Sequence, residues 1–218
     1  PGVKLPLLTS EERGYIETRA KLFRSFEPRW RGLLFSCRRD ALRVNLGVAP
    51  ETKLVVLAAK FSEIRHELPR LFSEVAGEPA VHLVVKTHPA ETPDAYKALA
   101  SNIPNIAIVA AEADLAQLLV AADAIVTMNS TVAVDGLVLG VPALVLGWPT
   151  NLSPFVDAGV MLGGPGIDVG SALKRVLYGQ ACRDELQPRA PVFARTYRIQ
   201  ADGHAAERAS DEILATIT

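Results

Sequence analysis

The sequence has little cysteine, almost no net charge and no long apolar run. Its two cysteines, Cys37 and Cys182, fit neither a metal-ligand spacing nor a disulfide framework, which favours a reducing cytoplasm. The net charge of -1 gives no overall basic field, so we expect no nucleic-acid partner. No apolar run reaches the roughly 20 residues of a transmembrane helix. The composition therefore predicts a cytoplasmic globular protein without a metal site.

The sequence also lacks the common signatures of nucleotide binding and catalysis. No segment matches the G-x-G-x-x-G or P-loop pattern, and the glycine-rich loop at 163–166 has a different spacing. No Ser-His-Asp order and no pair of catalytic carboxylates stands out. Function therefore has to be argued from residues outside these patterns.

Charge is distributed unevenly along the chain. Residues 1–47 carry ten Lys or Arg against five Asp or Glu, whereas the remaining residues carry 13 against 19. We interpret 1–47 as a basic helical lead segment. It is either a solvated helix face or a surface for an acidic partner, another domain or anionic lipid, which leaves peripheral association with the inner face of the membrane open. Because the chain begins Pro1-Gly2 without an initiator Met, we expect a fragment of a longer protein.

Short apolar runs alternate with helical patterns from residue 48 onwards. The predicted strands are Leu54–Ala59, Val81–Lys86, Ile106–Val109, Ala124–Thr127, Ala143–Leu146 and a short sixth strand at Val160–Leu162. Strands that are apolar on both faces are typical of a parallel sheet covered by helices. The sequence thus predicts a doubly wound α/β fold of about six strands over residues 48–180. Helices flank it on the N-terminal side and, at 181–218, on the C-terminal side.

Single residues mark several predicted helix boundaries. Asp114 and Asp168 are expected to cap the helices that follow them. Pro69 should kink or split the helix after the first strand, and Gly140 should end the helix after the fourth.

The segment Asp123–Gly147 combines a buried strand, a polar turn and the start of a helix. The turn holds Asn129, Ser130 and Thr131, and the first amides of a helix lack intrahelical partners and attract anions. A strand order of 3-2-1-4-5-6 places the switch point between strands one and four, directly beside this turn. The same residues also suit a plain N-cap. Because turn and switch point coincide, we favour a phosphate site.

Basic side chains lie at the carboxyl ends of strands one and two, near the turn. Lys60 follows strand one, where it can neutralise a diphosphate or simply lie exposed. Lys86 and His88 end strand two in the run VKTHPAE. A His fixed by the following Pro89 can donate to a phosphate or protonate a leaving group, although a lone His is often structural.

Asp135 lies five residues beyond Ser130, in a predicted helix that is otherwise apolar on every side. A buried carboxylate requires a partner. Ribose hydroxyls would satisfy it, and a backbone group or an Arg is the alternative.

Two of these segments resemble the C-terminal, donor-binding domain of GT-B glycosyltransferases. They are KTHP (Lys86–Pro89) and NSTVAVDGLVLGVPALVLG (Asn129–Gly147). The nearest groups are bacterial capsular polysaccharide transferases and the CDP-glycerol glycerophosphotransferases of teichoic acid synthesis, and UDP-N-acetylglucosamine 2-epimerases share the architecture. The tail Tyr197–Leu214 resembles the closing segment of such enzymes, so the resemblance covers about residues 42–217.

The resemblance implies a transferase whose donor substrate is a nucleotide-activated sugar or a CDP-polyol and whose acceptor is a polysaccharide, with no permanently bound cofactor and no metal. It implies that His88 contacts the donor phosphate and assists the leaving group. Ser130 and Thr131 would hold phosphate, and Asp135 would hold ribose, a position where Glu is usual.

The resemblance also implies a second, N-terminal Rossmann-like domain, which this sequence does not contain, so the chain alone is expected to be inactive. Two alternatives stay open. One is an enzyme like the 2-epimerases, which would need further acids such as Glu91, Asp94 or Asp157. The other is a non-catalytic domain for nucleotide binding or assembly.

Overall fold

The computed structural model of the protein describes residues 39–196 and 204–217. Its central element is a parallel sheet with the strand order β3-β2-β1-β4-β5. The strands are β1 (Lys53–Ala58), β2 (Val81–Lys86), β3 (Ile106–Val109), β4 (Ala124–Thr127) and β5 (Ala143–Val145). All four neighbouring pairs run parallel, which confirms the doubly wound α/β fold. The short sixth strand is reduced to a single parallel bridge between Leu144 and Leu162.

Helices cover both faces of this sheet. The helices of the described residues are α1 (described over 39–45), α2 (Phe61–Ile64), α3 (Leu68–Ala76), α4 (Asp94–Ala100), α5 (Leu115–Ala121), α6 (Val132–Leu139), α7 (Ser153–Asp157), α8 (Val169–Tyr178), α9 (Gln180–Thr196) and α10 (Ala205–Ile217). One core lies between the sheet and α2, α3, α4 and α8. A second core lies between the opposite face and α5, α6 and part of α9. This two-sided burial is why β1 after Lys53 and β4 before Thr127 are entirely apolar.

The local signals predicted the helix boundaries correctly. Pro69 stands in the first turn of α3 and separates that helix from α2. Asp114 accepts hydrogen bonds from the amides of Ala116 and Gln117 at 2.9 and 3.3 Å. Asp168 accepts one from Ser171 at 2.9 Å.

Gly140 and Gly136 determine how α6 ends and how closely it packs. Gly140 adopts a left-handed conformation with φ of 73°, which ends α6 as predicted. A Cβ atom at Gly136 would lie 2.2 Å from Ile125 Cδ1 and 3.2 Å from the carbonyl oxygen of Val141. Helix α6 therefore lies directly against β4, and its N-terminus is held at the end of that strand.

Asp123 connects α1 to the sheet. Its carboxylate accepts hydrogen bonds from Arg39 at 2.7 Å, from the buried Arg43 at 2.9 Å and from the amide of Leu54 at 2.8 Å. Desolvation alone would raise the pKa of Asp123, but these hydrogen bonds outweigh it and hold the pKa below its ordinary value. Two arginines of the basic lead segment are thus used inside the molecule, while residues 1–38 lie outside the described residues.

Candidate functional site

A cleft of about 310 Å³ opens where β1, β2 and β4 end. It lies at the carboxyl ends of the strands, at the reversal of strand order where the sequence predicts a ligand site. The lining residues are Ala58, Ala59, Lys60, Glu63, Lys86, Thr87, His88, Pro89, Leu115, Asn129, Ser130 and Thr131. The cleft thus brings together six of the seven predicted site residues, all except Asp135.

Two buried threonines form part of its frame, and the sequence analysis missed both. Thr127 Oγ1 donates to the carbonyl of Ala58 at 2.6 Å, and Thr87 Oγ1 donates to that of Val109 at 2.9 Å. These hydrogen bonds satisfy hydroxyls that have no access to water. They also join β4 to β1 and β2 to β3 at the rim of the cleft. The available signal was a hydroxyl at, or just after, the last position of an apolar strand.

The turn before α6 presents hydrogen-bond donors at the cleft. Thr131 occupies the N-cap position without a side-chain cap bond, and Ser130 Oγ accepts only a long bond of 3.4 Å from the Val132 amide. Among the described residues, the backbone amides of Ser130 and Thr131 have no hydrogen-bond partner. The two free amides therefore belong to the turn that leads into α6, where the positive end of the helix dipole lies beside the cleft.

Asn129 lies between three loops. Its side-chain nitrogen donates to Glu63 Oε2 at 3.5 Å, and its Oδ1 accepts from the Asn151 amide at 3.4 Å. Asn151 Nδ2 also donates to the Asn129 carbonyl at 2.8 Å. Only the bond from Asn151 Nδ2 is short, so Asn129 is held mainly by Asn151, and its contact with Glu63 is long.

His88 is half-buried and its ring is held by a backbone group. Its Nδ1 accepts from the Ala90 amide at 3.1 Å. This hydrogen bond assigns the proton of the neutral imidazole to Nε2. His88 can therefore donate from Nε2 at a cleft that it lines.

The two lysines differ in whether other protein groups bind their ammonium groups. Lys86 Nζ donates to the carbonyls of Ala111 at 2.7 Å and Thr87 at 3.3 Å, so its ammonium connects the ends of β2 and β3. Lys60 is exposed and forms no ion pair with any residue that the structure describes. Lys86 contributes a fixed charge beside the cleft, whereas the Lys60 ammonium is available to a ligand.

Glu91 closes the N-terminus of α2. Its carboxylate accepts from the amides of Phe61 at 2.8 Å and Ser62 at 3.3 Å. This carboxylate therefore has a structural role. The other two acids considered for an epimerase, Asp94 and Asp157, are exposed and do not line the cleft.

Asp135 is exposed on α6 and does not line the cleft. The expectation that it is a buried carboxylate in need of a partner is wrong, because the helix leaves this position open to solvent. Partial desolvation still raises the pKa of Asp135. Its contact with ribose stays a prediction.

In the described parts of the chain, no group of three or more His, Cys, Asp and Glu side chains could hold a metal ion. None of the helices in residues 39–196 and 204–217 has both the length and the apolar character to cross a membrane.

One protein family matches the part of the chain that forms the cleft. The family described as capsule polysaccharide biosynthesis protein matches residues 51–152, just under half of the chain. Every residue that lines the cleft falls inside this range. At the level of sequence similarity, no curated protein matches the chain.

Solved structures share the fold at low sequence identity. HepE from Anabaena, in complex with UDP-glucose, has a TM-score of 0.63 and 15% identity over 83% of this chain and 53% of its own. WaaG, a glycosyltransferase involved in lipopolysaccharide biosynthesis, has a TM-score of 0.61 and 18% identity, and the match covers 81% of this chain and 50% of WaaG. UDP-GlcNAc 2-epimerase from Neisseria meningitidis, bound to UDP-GlcNAc, has a TM-score of 0.55 and 13% identity, and the match covers 74% of this chain and 48% of the epimerase.

The chain therefore spans about half the length of each of these proteins. At such identities the likeness concerns the fold, which several activities share. The fold and the family match agree with the resemblance seen in the sequence. The chain has the Rossmann-like fold of one half of the GT-B architecture, and its cleft lies in the segment that matches the capsule polysaccharide biosynthesis family.

Proposed function

We propose that this domain binds the nucleotide-activated donor of a glycosyltransferase, or glycerophosphotransferase, that makes a bacterial capsule or another cell-surface polysaccharide. The observation that carries the proposal is the cleft at the switch point. There the unpaired amides of Ser130 and Thr131 lie with Lys60, Lys86 and His88. Backbone amides at a helix N-terminus, hydroxyls and ammonium groups together suit a diphosphate.

The size and charge of the cleft support a ligand of this kind. Its volume of about 310 Å³ falls at the lower end of the range for small-molecule pockets. Two lysines line it against one carboxylate, so its formal charge favours an anion. In HepE and the 2-epimerase the same fold carries UDP-glucose and UDP-GlcNAc, which supports a nucleotide sugar as the donor.

The proposed chemistry follows from where charge develops. Transfer of a sugar breaks the bond between its anomeric carbon and the phosphate oxygen, and transfer of a polyol phosphate breaks the diphosphate. In both reactions the nucleotide leaves with additional negative charge. The amides of Ser130 and Thr131 and the ammonium of Lys60 would stabilise that charge, and His88 would donate from Nε2 to the departing phosphate.

The acceptor is proposed to bind elsewhere. Because the chain spans about half of the structures that it matches, we assign the acceptor and its activating base to a second Rossmann-like domain, on a longer form of this protein or on a partner. The two widely separated cysteines agree with a reaction in the cytoplasm, and the basic residues of 1–47 with a place at the inner face of the membrane.

A transferase fits the cleft better than an epimerase. Of the acids that an epimerase would need, Glu91 is engaged by backbone amides, and Asp94 and Asp157 lie outside the cleft. A domain that binds a nucleotide without turnover would use the same groups, so binding and turnover have to be measured separately.

Titration calorimetry of the full chain with UDP, CDP and CMP tests the binding. We expect saturable binding of at least one nucleotide, and the absence of heat for all three would contradict the proposal. Turnover is tested by release of nucleotide from UDP-glucose and CDP-glycerol, with and without the second domain. Release that requires both domains indicates a transferase, whereas binding without release in either case indicates a non-catalytic domain.

A further inference from the structure

Glu63 is the single carboxylate among the residues that line the cleft. It lies on α2, directly after β1, and is half-buried. Its only side-chain hydrogen bond with the described residues is the long contact of 3.5 Å from Asn129 Nδ2, and it forms no ion pair with them. Most of its acceptor capacity is thus unused by the protein.

The position of Glu63 is well defined by its surroundings. Glu91 holds the first amides of α2, and the Phe61 ring packs edge-on against Tyr96 with ring centroids 5.1 Å apart. The Tyr96 hydroxyl donates in turn to the Ala59 carbonyl at 3.0 Å. The short helix α2 therefore cannot turn away from the cleft without breaking its contacts with Glu91 and Tyr96.

A carboxylate at this point opposes the binding of a bare anion. Two negative charges a few ångströms apart repel each other, and the repulsion grows as water is excluded. A carboxylate accepts hydrogen bonds and donates none, so the ligand groups that it suits are donors such as hydroxyls and N–H groups. Hydroxyls are abundant in ribose, in sugars and in polyols.

We propose that Glu63 is a specificity-determining residue that accepts hydrogen bonds from the hydroxyls of the donor and disfavours phosphate without hydroxyls. The inference rests on the proposed function, since it requires a donor diphosphate in the same cleft. The lysines and helix amides then supply affinity for the anion, while Glu63 selects among anions.

The test compares wild-type protein with Glu63→Gln, which keeps the shape of the side chain and removes its charge. Titrations use inorganic pyrophosphate, UDP with UDP-glucose, and CDP with CDP-glycerol. We expect Glu63→Gln to bind pyrophosphate about threefold more tightly, because a repulsion is lost. The same variant should bind the hydroxyl-bearing probes about tenfold more weakly, because a charge-assisted hydrogen bond is lost.

The probes that lose affinity identify the hydroxyl that Glu63 binds. If UDP and UDP-glucose, or CDP and CDP-glycerol, lose affinity equally, the hydroxyl belongs to ribose. If only UDP-glucose or CDP-glycerol loses affinity, the hydroxyl belongs to the transferred group. Glu112→Gln is the matched control, since it removes one charge from an exposed residue outside the cleft.

Two results would overturn the inference while the proposed function stands. The first is that Glu63→Gln binds nucleotides with the same affinity as wild type. The second is that Glu63→Gln loses equal affinity for pyrophosphate and for nucleotides, which indicates a purely structural role. Wild-type protein that binds none of the probes would refute the proposed function itself.

Discussion

The carboxylate of Glu91 accepts the amide hydrogen of Phe61 at 2.8 Å and thereby joins the two segments that follow β1 and β2. The first segment carries Lys60 and, on α2, Glu63, and the second carries His88. The cleft therefore depends on a contact between residues 30 positions apart in the sequence.

Replacing Glu91 by Ala should both destabilise the protein and weaken the site. We expect a loss of about 1–2 kcal/mol in the free energy of unfolding, typical of removing a helix N-cap, together with weaker nucleotide binding. Urea unfolding and calorimetry measure the two effects. Glu112→Ala, at an exposed position, is the control. Equal behaviour of the two variants would show that the Glu91 contact contributes nothing.

Asp123 should make stability depend on acid pH. Because its pKa is lowered in the folded protein, its contribution is fully present above the unfolded value of about 3.9 and is lost as pH falls through the lower folded value. Asp123→Asn leaves the buried Arg43 without its charge partner, and we expect a cost of about 2–3 kcal/mol at pH 7.

Urea unfolding of both proteins at pH 7, 4 and 3 checks this expectation. The difference between wild type and Asp123→Asn should shrink as the pH is lowered. Asp157→Asn, at an exposed position, should match wild type at every pH. A difference that stays constant down to pH 3 would show that the charge of Asp123 is not what holds α1 to the sheet.

A side chain at Gly136 should destabilise the protein. An added Cβ would lie 2.2 Å from Ile125 Cδ1 within the core, so Gly136→Ala should reduce the free energy of unfolding by about 1–2 kcal/mol despite the better helix propensity of Ala. Gly77→Ala is the matched control, because the nearest atoms to its added Cβ lie at 3.6 Å. If both variants unfold at the same urea concentration, α6 is packed less closely against β4 than described.

His88 and Ser130 should each contribute to nucleotide affinity. We expect His88→Ala and Ser130→Ala to weaken binding by about 1–3 kcal/mol, the range for losing one hydrogen bond to a charged group. His66→Ala and Ser101→Ala replace exposed residues of the same types outside the cleft and should bind like wild type. Unchanged affinity in both site variants, measured by calorimetry, would refute the assignment of the site.

The fold could be predicted from the sequence because its elements leave strong local signals. Buried parallel strands are continuous apolar runs, and Asp114, Pro69 and Gly140 mark boundaries by their own chemistry. The cleft was predictable because the end of a strand determines where the next residues lie. Lys60 and Ser130 line the same cleft for that reason.

What escaped prediction depends on contacts distant in sequence. Glu63 lies at the cleft because Glu91 and Tyr96 fix α2, and no local pattern reveals that arrangement. Helix α6 is apolar on every side apart from Asp135, so its sequence could not show which face is exposed, and Asp135 was wrongly expected to be buried. The sixth strand was reduced to one bridge, since only Leu162 of its three residues pairs with β5.

The central claim is that a diphosphate binds to the amides at the start of α6. Amide chemical shifts in ¹⁵N-labelled full chain, followed during titration with UDP and CDP, test it most directly. We predict that the amides of Ser130 and Thr131 shift progressively and saturably, with the largest changes in the protein. Saturable shifts that leave these two amides unmoved, or no shift anywhere at millimolar nucleotide, would contradict the claim.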